Sequence, residues 1–388
     1  MKVLFALIDM NIGGTEKAFL NLLHFLPKKY TITLLVLKKS GGFLEAVPQN
    51  VEIIEIENAN EINQLIHNSS LSNACYFLGK FQIKAFFIIV YIFLVSKATN
   101  NPFANYKIFD FVAKKLSTKF DIAVAFAGPH DFISYYISHK VIANKKIQWV
   151  HFDVSKIYFN TKMAARLYAN FDKIHLVSND VKDNFLKVLP QFTCKSFLFK
   201  NLVADALIVH MAAVGMKFLT NEKTFDIVTI GRLTPEKGHI LFIEPLKKII
   251  DLGYNVQWII VGDGDCKEML IEKLAENSIL QFVQFTGKTT NPYGFLKQAD
   301  LYLQPSFYEG HCVTILEAKV FNKPTLSTNF AGITDEITNE KTGLIVPVSS
   351  DGLFNGLLKI LENKHLLDYY SENLKSEKSA NNVTEIEL

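Results

Sequence analysis

The stretch LYLQPSFYEGHCVTILEAKVF, residues 301–321, decides how this chain folds. Its opening residues, LYLQPS (301–306), are strand-forming, and a loop carrying Glu309 and Gly310 follows. From Val313 to Phe321 the apolar residues fall at helical spacing. A strand that passes through a short loop into a helix is half of a βαβ unit, and such units build parallel sheets. Ligands of open parallel sheets bind beyond the carboxyl ends of the strands, where this loop lies. Glu309 and Glu317 stand with seven residues between them, one on the loop and one in the first turns of the helix. Both are expected to face one crevice, and the backbone N–H groups of residues 311–314 offer an anion site at the helix start. One carboxylate can hold sugar hydroxyls while the other grips a ribose. An exposed loop acid and an ordinary helix acid would leave the same pattern.

The alternation continues in both directions. Upstream the strands read VLFALI (3–8), ITLLVL (32–37), VEIIEI (51–56), IAVAFA (122–127), IQWV (147–150) and IHLVS (174–178). The later half gives FDIVTI (225–230), QWIIVG (257–262), VQFTG (283–287), PTLST (324–328) and GLIVP (343–347) around LYLQPS. Helices are predicted between them, among them Glu16–Phe25, His239–Ile250, Lys267–Glu276 and Val313–Phe321. Two such series in succession predict an α/β protein of two Rossmann-like, doubly wound parallel-sheet domains facing a central cleft. A chain of 388 residues is also too long for one typical core. The pattern breaks at 199–224, which divides the chain into 1–203 and 204–388.

Three more strand-end loops carry candidate chemistry. Gly13-Gly14 follows the first strand and opens a helix, so backbone N–H groups there can approach a phosphate or a sugar. The full GxGxxG fingerprint is absent, which argues against a nicotinamide-dinucleotide enzyme. In GRLTPEKG (231–238), Arg232 is one of two arginines in a lysine-rich chain, the other being Arg166. Its planar fork and the nearby Lys237 ammonium together match the charge of a pyrophosphate. A solvated surface turn is the plainer reading of that loop. In WVHFD (149–153), His151 follows a strand end and is expected to point into the cleft. Gly262-Asp263-Gly264-Asp265 contains an Asp-x-Asp that could hold a divalent metal, but it reads better as a turn after QWIIVG, and no metal site is expected.

Composition narrows the setting. Four scattered cysteines give neither a disulfide framework nor metal-ligand spacing, which points to a reducing cytoplasm. Residues 1–200 carry a net charge of +10 and residues 201–388 one of −7. That asymmetry suits a first half resting on an anionic membrane surface, though drift in a lysine-rich chain would also produce it. The uncharged segment AFFIIVYIFLVS (85–96) is too short to span a bilayer. It reads either as a helix buried on the first sheet or as an aromatic-rich helix dipping into the membrane interface, with flanking lysines at head-group level. The polar end, SENLKSEKSANNVTEIEL (371–388), reads either as a fraying tail or as a segment whose last residues return to the first domain. No compact basic-aromatic patch suggests nucleic acid.

Together these segments resemble the retaining glycosyltransferases of family 4, which have the GT-B fold. The likeness runs from GGTEKAFLNLL (13–23) to GLIVP (343–347) and is most specific over 225–347, where GRLTPEKG, IIVGDGD, VQFTGKTTNPYGFLKQADLYLQPSFYEG, ILEA and AGITDEI occur in the family's order. WVHFD and NPYGFLKQAD look like the bacterial branch that builds surface polysaccharides or glycolipids. The resemblance implies a UDP- or GDP-sugar donor, an acceptor-side first domain and a nucleotide-sugar-binding second domain. It implies that Gly13 and Gly14 approach the donor, that Arg232 and Lys237 neutralise the diphosphate, and that Glu309 lies by the donor sugar. Gly310, His311, Cys312, Val313 and Thr314 would support sugar and phosphate, Glu317 would bind the ribose, and His151 would touch the sugar near the reacting centre. Neither metal nor cofactor is implied. The family commonly has an aromatic or large apolar residue and then a small residue or Pro after the Glu-Gly pair. Here His311 and Cys312 stand instead, which bears on the choice of donor sugar. The expected acceptor is a lipid-linked glycan at the inner face of the membrane. A nucleotide-sugar epimerase of the same fold, and a non-catalytic partner that binds nucleotide sugar for another transferase, remain alternatives.

Overall fold

The computed structural model describes residues 1–99, 106–127, 132–157, 159–216, 224–378 and 386–388. The first sheet holds seven strands: β1 (Lys2–Leu7), β2 (Thr31–Val36), β3 (Glu52–Glu55), β4 (Lys119–Ala127), β5 (Ile142–Val150), β6 (Lys173–Leu176) and β7 (Ser196–Leu198). The second holds six: β8 (Phe225–Ile230), β9 (Val256–Val261), β10 (Val283–Gly287), β11 (Leu301–Gln304), β12 (Thr325–Thr328) and β13 (Gly343–Val346). Their orders are β3-β2-β1-β4-β5-β6-β7 and β10-β9-β8-β11-β12-β13, and the paired strands run parallel. Helices on both faces bury the strands, which explains their near-continuous apolar runs. The two expected doubly wound sheets are therefore present. The expected strands are all found, and β7, a three-residue strand at the sheet edge, is an addition.

In each sheet the winding reverses once. The chain runs outward from β1 to β3, then returns to place β4 on the other side of β1. The second sheet repeats this with β8 and β11. Loops leaving the carboxyl ends on either side of a reversal diverge and leave a crevice. The loop after β1 carries Gly13-Gly14, the loop after β8 is GRLTPEKG, and the loop after β11 is PSFYEGHC. Three of the sequence motifs thus sit at the two reversal points. The fourth, His151, immediately follows β5.

Helix Asp205–Val214, in the stretch where the alternation breaks, packs through Ile208 and Ala212 on Tyr293 and Val320 of the second unit. The segment 85–96 lies in helix Ile83–Thr99, which pairs with helix Ser70–Gly79 as a hairpin. Neither sequence reading describes it alone. Ile89 and Ile92 are buried, while Phe87, Tyr91, Phe93 and Leu94 are exposed, as are Leu71, Leu78 and Phe81 on the rest of the hairpin. Among the described residues no helix is long and apolar enough to cross a membrane.

The first part of the chain's polar end departs from the fraying reading. Ser371 to Lys378 continue helix His365–Lys378, because Tyr370 and Leu374 pack inward and anchor it. Residues 379–385 lie outside the described residues. Ile386 then donates its N–H to the Phe25 carbonyl of the first unit at 2.9 Å.

Candidate functional site

The site is built from the loop after β8 upward. Gly238 has φ +64°, and a Cβ there would fall 2.0 Å from the Pro305 carbonyl oxygen, so only glycine lets this loop dock on the end of β11. The Phe307 N–H donates to the Glu236 carbonyl at 2.9 Å and ties the two loops together. This docking carries Lys237 to Glu309: Lys237 Nζ donates to both carboxylate oxygens, at 2.6 and 2.8 Å. Ser306 Oγ (2.8 Å) and Gln304 Nε2 (3.2 Å) also donate to Glu309. Burial alone would lower the Lys237 ammonium, and the Glu309 carboxylate lifts it above the usual lysine range. Arg232, on the same loop, is 62% exposed and lies 3.6 Å from Glu236, so its fork is accessible at the rim. The turn Gly262–Asp265 braces this loop. Leu233 N–H donates to the Asp263 carbonyl at 3.0 Å, and Cys266 N–H donates to the Leu233 carbonyl at 2.8 Å. No group of three acidic, histidine or cysteine side chains is placed to hold a metal among the described residues.

The loop after β11 is pinned against the first unit. A Cβ at Gly310 would fall 2.0 Å from the His151 carbonyl oxygen, so the two backbones touch there and exclude any side chain. Ser178 Oγ donates to the Gly310 carbonyl at 3.2 Å. His311 is buried: its Nδ1 lies 3.3 Å from Asn201 Nδ2, and its Nε2 lies 2.6 Å from Glu336 Oε1 but off the line of a hydrogen bond. Cys312 is buried with Sγ 3.1 Å from Thr314 Oγ1, and burial, followed by the Glu309 charge, pushes its thiol up to about 12. It is an inert thiol at neutral pH. Thr314 Oγ1 also accepts from the Tyr302 hydroxyl at 2.7 Å, and Val313 is packed in the core.

His151 is buried on an aromatic floor, 4.5 Å from the Phe126 ring and stacked 6.2 Å from Trp149. Burial, with His311 adding to it, pushes its pKa down to about 3, so the imidazole is neutral at physiological pH. Its Nε2 has no hydrogen-bond partner among the described residues. A neutral imidazole with a free nitrogen can exchange one hydrogen bond with a ligand but cannot supply a cation.

Glu317 does not face an open crevice. Its side chain is wholly buried, and Lys17, from helix Gly14–Leu23 of the first unit, reaches across to it at 2.7 and 2.8 Å. The Tyr293 hydroxyl adds a third bond at 3.0 Å. Gly13 and Gly14 do begin a helix at the cleft, but that helix start already holds a carboxyl group: Glu16 folds back so that its Oε2 lies 2.4 Å from where a Gly13 Cβ would be. Lys17 and Glu16 escaped the sequence reading. One signal was available, since Lys17 shares a helical stripe with Gly14 and the buried Asn21, an odd place for a charge on a core-facing helix. Tyr293, Asn201 and Glu336 come from three distant segments, and no sequence spacing links them to the site.

The chain is similar to known proteins in sequence and in fold. Residues 216–377 match the family model of glycosyl transferases group 1. The 2-deoxystreptamine N-acetyl-D-glucosaminyltransferase of Niallia circulans is 29% identical over 148 residues, covering 37% of this chain and 38% of that protein. The UDP-Gal:alpha-D-GlcNAc-diphosphoundecaprenol alpha-1,3-galactosyltransferase of Escherichia coli is 27% identical over 157 residues, covering 39% and 40%. Each match thus spans less than half the length of the relative. The crystal structure of Anabaena Alr3699/HepE in complex with UDP-glucose superposes with a TM-score of 0.69 at 16% identity, over 98% of this chain and 95% of that one. That likeness establishes the architecture as GT-B.

Glu16 offers a test of the cleft's electrostatics. Burial, with Asp9 adding to it, raises its pKa to about 7 against the opposing pull of its own backbone N–H, Arg232 and Lys288. A carboxyl whose folded pKa is raised contributes stability below its unfolded pKa and loses it as pH climbs through the folded value. Glu16→Gln should therefore match the parent near pH 4 and exceed its stability at pH 8 by about 1–3 kcal/mol, measured by urea denaturation at both pH values.

Proposed function

From a chain whose residues 216–377 form a glycosyl transferases group 1 domain within a GT-B fold, we propose a retaining, metal-independent glycosyltransferase. It moves a sugar from a nucleoside-diphosphate sugar to a lipid-linked glycan in bacterial surface-polysaccharide or glycolipid synthesis. One observation carries this reading: the loops after β1, β8 and β11 bring a helix start, two cations and a sugar-competent carboxylate to the two reversal points of facing sheets. The names of the relatives agree, since one transfers galactose from UDP-Gal to a diphosphoundecaprenol-linked acceptor.

In this mechanism the nucleotide lies mainly on the second unit and the acceptor enters over the first. The bond between the anomeric carbon and the diphosphate oxygen breaks, and the acceptor hydroxyl forms its bond on the same face. Its proton passes to the departing diphosphate, and the anomeric configuration is retained. Arg232 and Lys237 stabilise the charge that grows on the leaving group, which is the largest contribution expected of this site. Lys237 turns from Glu309 toward the diphosphate and frees Glu309 for the sugar hydroxyls. Neutral His151 gives or accepts one hydrogen bond at the sugar. With two cations on one loop, no metal is needed. Closure of the two units excludes water and limits donor hydrolysis.

The acceptor's lipid suits the first unit. The exposed Phe81, Phe87, Tyr91 and Leu94 of the hairpin, with the exposed Lys84 and Lys97 near its ends, form a face suited to an anionic bilayer.

UDP or GDP at about 100 times its dissociation constant should add about 2.7 kcal/mol of stability, read as a raised melting temperature, whereas NAD should add none. A shift with NAD alone would overturn the assignment. Arg232→Ala should cost about 2–4 kcal/mol in transfer rate, measured as initial rates with the donor so identified; unchanged turnover removes Arg232 from the mechanism. The chain should float with vesicles containing anionic lipid, and the pair Phe81→Glu and Phe87→Glu should leave it in the soluble fraction.

A further inference from the structure

Glu317, the carboxylate that the family resemblance points toward the donor's ribose, is engaged by the protein itself. Lys17 Nζ lies 2.7 Å from Oε1 and 2.8 Å from Oε2, and the Tyr293 hydroxyl lies 3.0 Å from Oε1. The Lys17 ammonium also sits over the Tyr293 ring, 4.7 Å from its centroid. The Lys17 and Glu317 side chains are 12% and 0% exposed, so water does not share the contact. Both carboxylate oxygens are engaged: Lys17 donates to Oε2 and is ion-paired to Oε1, and Tyr293 donates to Oε1. Ribose hydroxyls bind a carboxylate as donors, and so does an ammonium. Lys17 and a ribose therefore compete for the same oxygens, which are buried while Lys17 holds its place.

We propose that Lys17 sets the donor affinity of this cleft by occupying Glu317, and that the ribose of the nucleotide displaces it. The inference rests on the nucleoside-diphosphate donor proposed above and on a ribose contact at Glu317, and adds to them the competitor built into the first unit. Lys17 is a positioning residue that acts through Glu317. The pair also joins the two units, since Lys17 belongs to helix Gly14–Leu23 and Glu317 to helix Val313–Val320. Breaking a buried ion pair by removing one partner leaves an uncompensated charge. With Lys17 gone, the Glu317 carboxylate lacks its strongest donor, and ribose hydroxyls supply the replacement. Nucleotide binding then no longer has to break a charge-assisted contact before forming its own.

The test is titration calorimetry on the full chain with UDP or GDP, whichever binds, and with the matching 2′,3′-dideoxynucleoside diphosphate. Lys17→Met keeps the stem that packs on Tyr293 and removes the charge. It should bind the nucleotide about tenfold more tightly than the parent, equivalent to about 1.4 kcal/mol. The dideoxy compound, which has no hydroxyl to offer Glu317, should gain nothing. Lys17→Arg keeps the pair and should behave like the parent. Adding Glu317→Gln to Lys17→Met should abolish the gain. Lys17→Gln, which keeps one donor to Glu317, carries the same comparison if the methionine variant does not fold, with a smaller gain expected. Unchanged or weaker nucleotide binding in both variants overturns the proposal. So does an equal gain for the nucleotide and its dideoxy analogue, which would mean that Lys17 acts only on the opening of the units. Failure of UDP and GDP to bind the parent and every variant overturns the nucleotide reading itself, and this inference with it.

Discussion

A parallel strand cannot return to its neighbour by a hairpin; it needs a crossover, and crossovers are right-handed. That constraint governs the rest of this structure. Helices can cover both faces of a sheet only if the winding reverses, and at each reversal two loops part at the carboxyl edge. Here the reversals fall between β1 and β4 and between β8 and β11. Loops that need glycine for steric reasons, at Gly238 and Gly310, are the ones that bring the two edges and their polar groups together.

The polar groups so gathered satisfy one another. Lys237 holds Glu309, Lys17 holds Glu317, and Glu16 lies against the start of its own helix. Partly buried charges tolerate nothing less, because desolvation is costly without a partner. A charged ligand therefore enters this cleft by exchanging partners. Its affinity is a difference between two sets of contacts and cannot be read from the final set alone. The neutral His151 differs, since its Nε2, on an aromatic floor, has no hydrogen-bond partner among the described residues to give up.

The architecture was legible because strands buried on both faces announce themselves as apolar runs, and because strand-end motifs mark the edge where ligands bind. β7 was missed because three residues at a sheet edge carry no period. Residues 371–378 form helix where fraying was expected, because a polar composition hid two inward-facing residues, Tyr370 and Leu374, at helical spacing. In the site, residues on one loop were legible together: Arg232 with Lys237, and Glu309 with Gly310. Contacts between units were not. Sequence spacing placed Glu317 on the right helix, yet only the fold reveals Lys17 beside it, 300 positions away. The buried His311 beside Glu336 is likewise a product of packing, although His311 already stood out as a departure from the family pattern.

The opposite charges of the two halves, +10 and −7, have a consequence for how the molecule travels. Separated charge of this size is a dipole, and a dipole near a charged plane feels a torque before it feels a contact. Within a Debye length of an anionic surface, about 8 Å at physiological salt, the first unit is pulled inward and the second is turned away. Such a molecule would arrive already oriented, with its basic half leading and its acidic half trailing in water. Reaching a rare target would become a search over an area with one angle already fixed, which is far shorter than a search through a volume with every angle free.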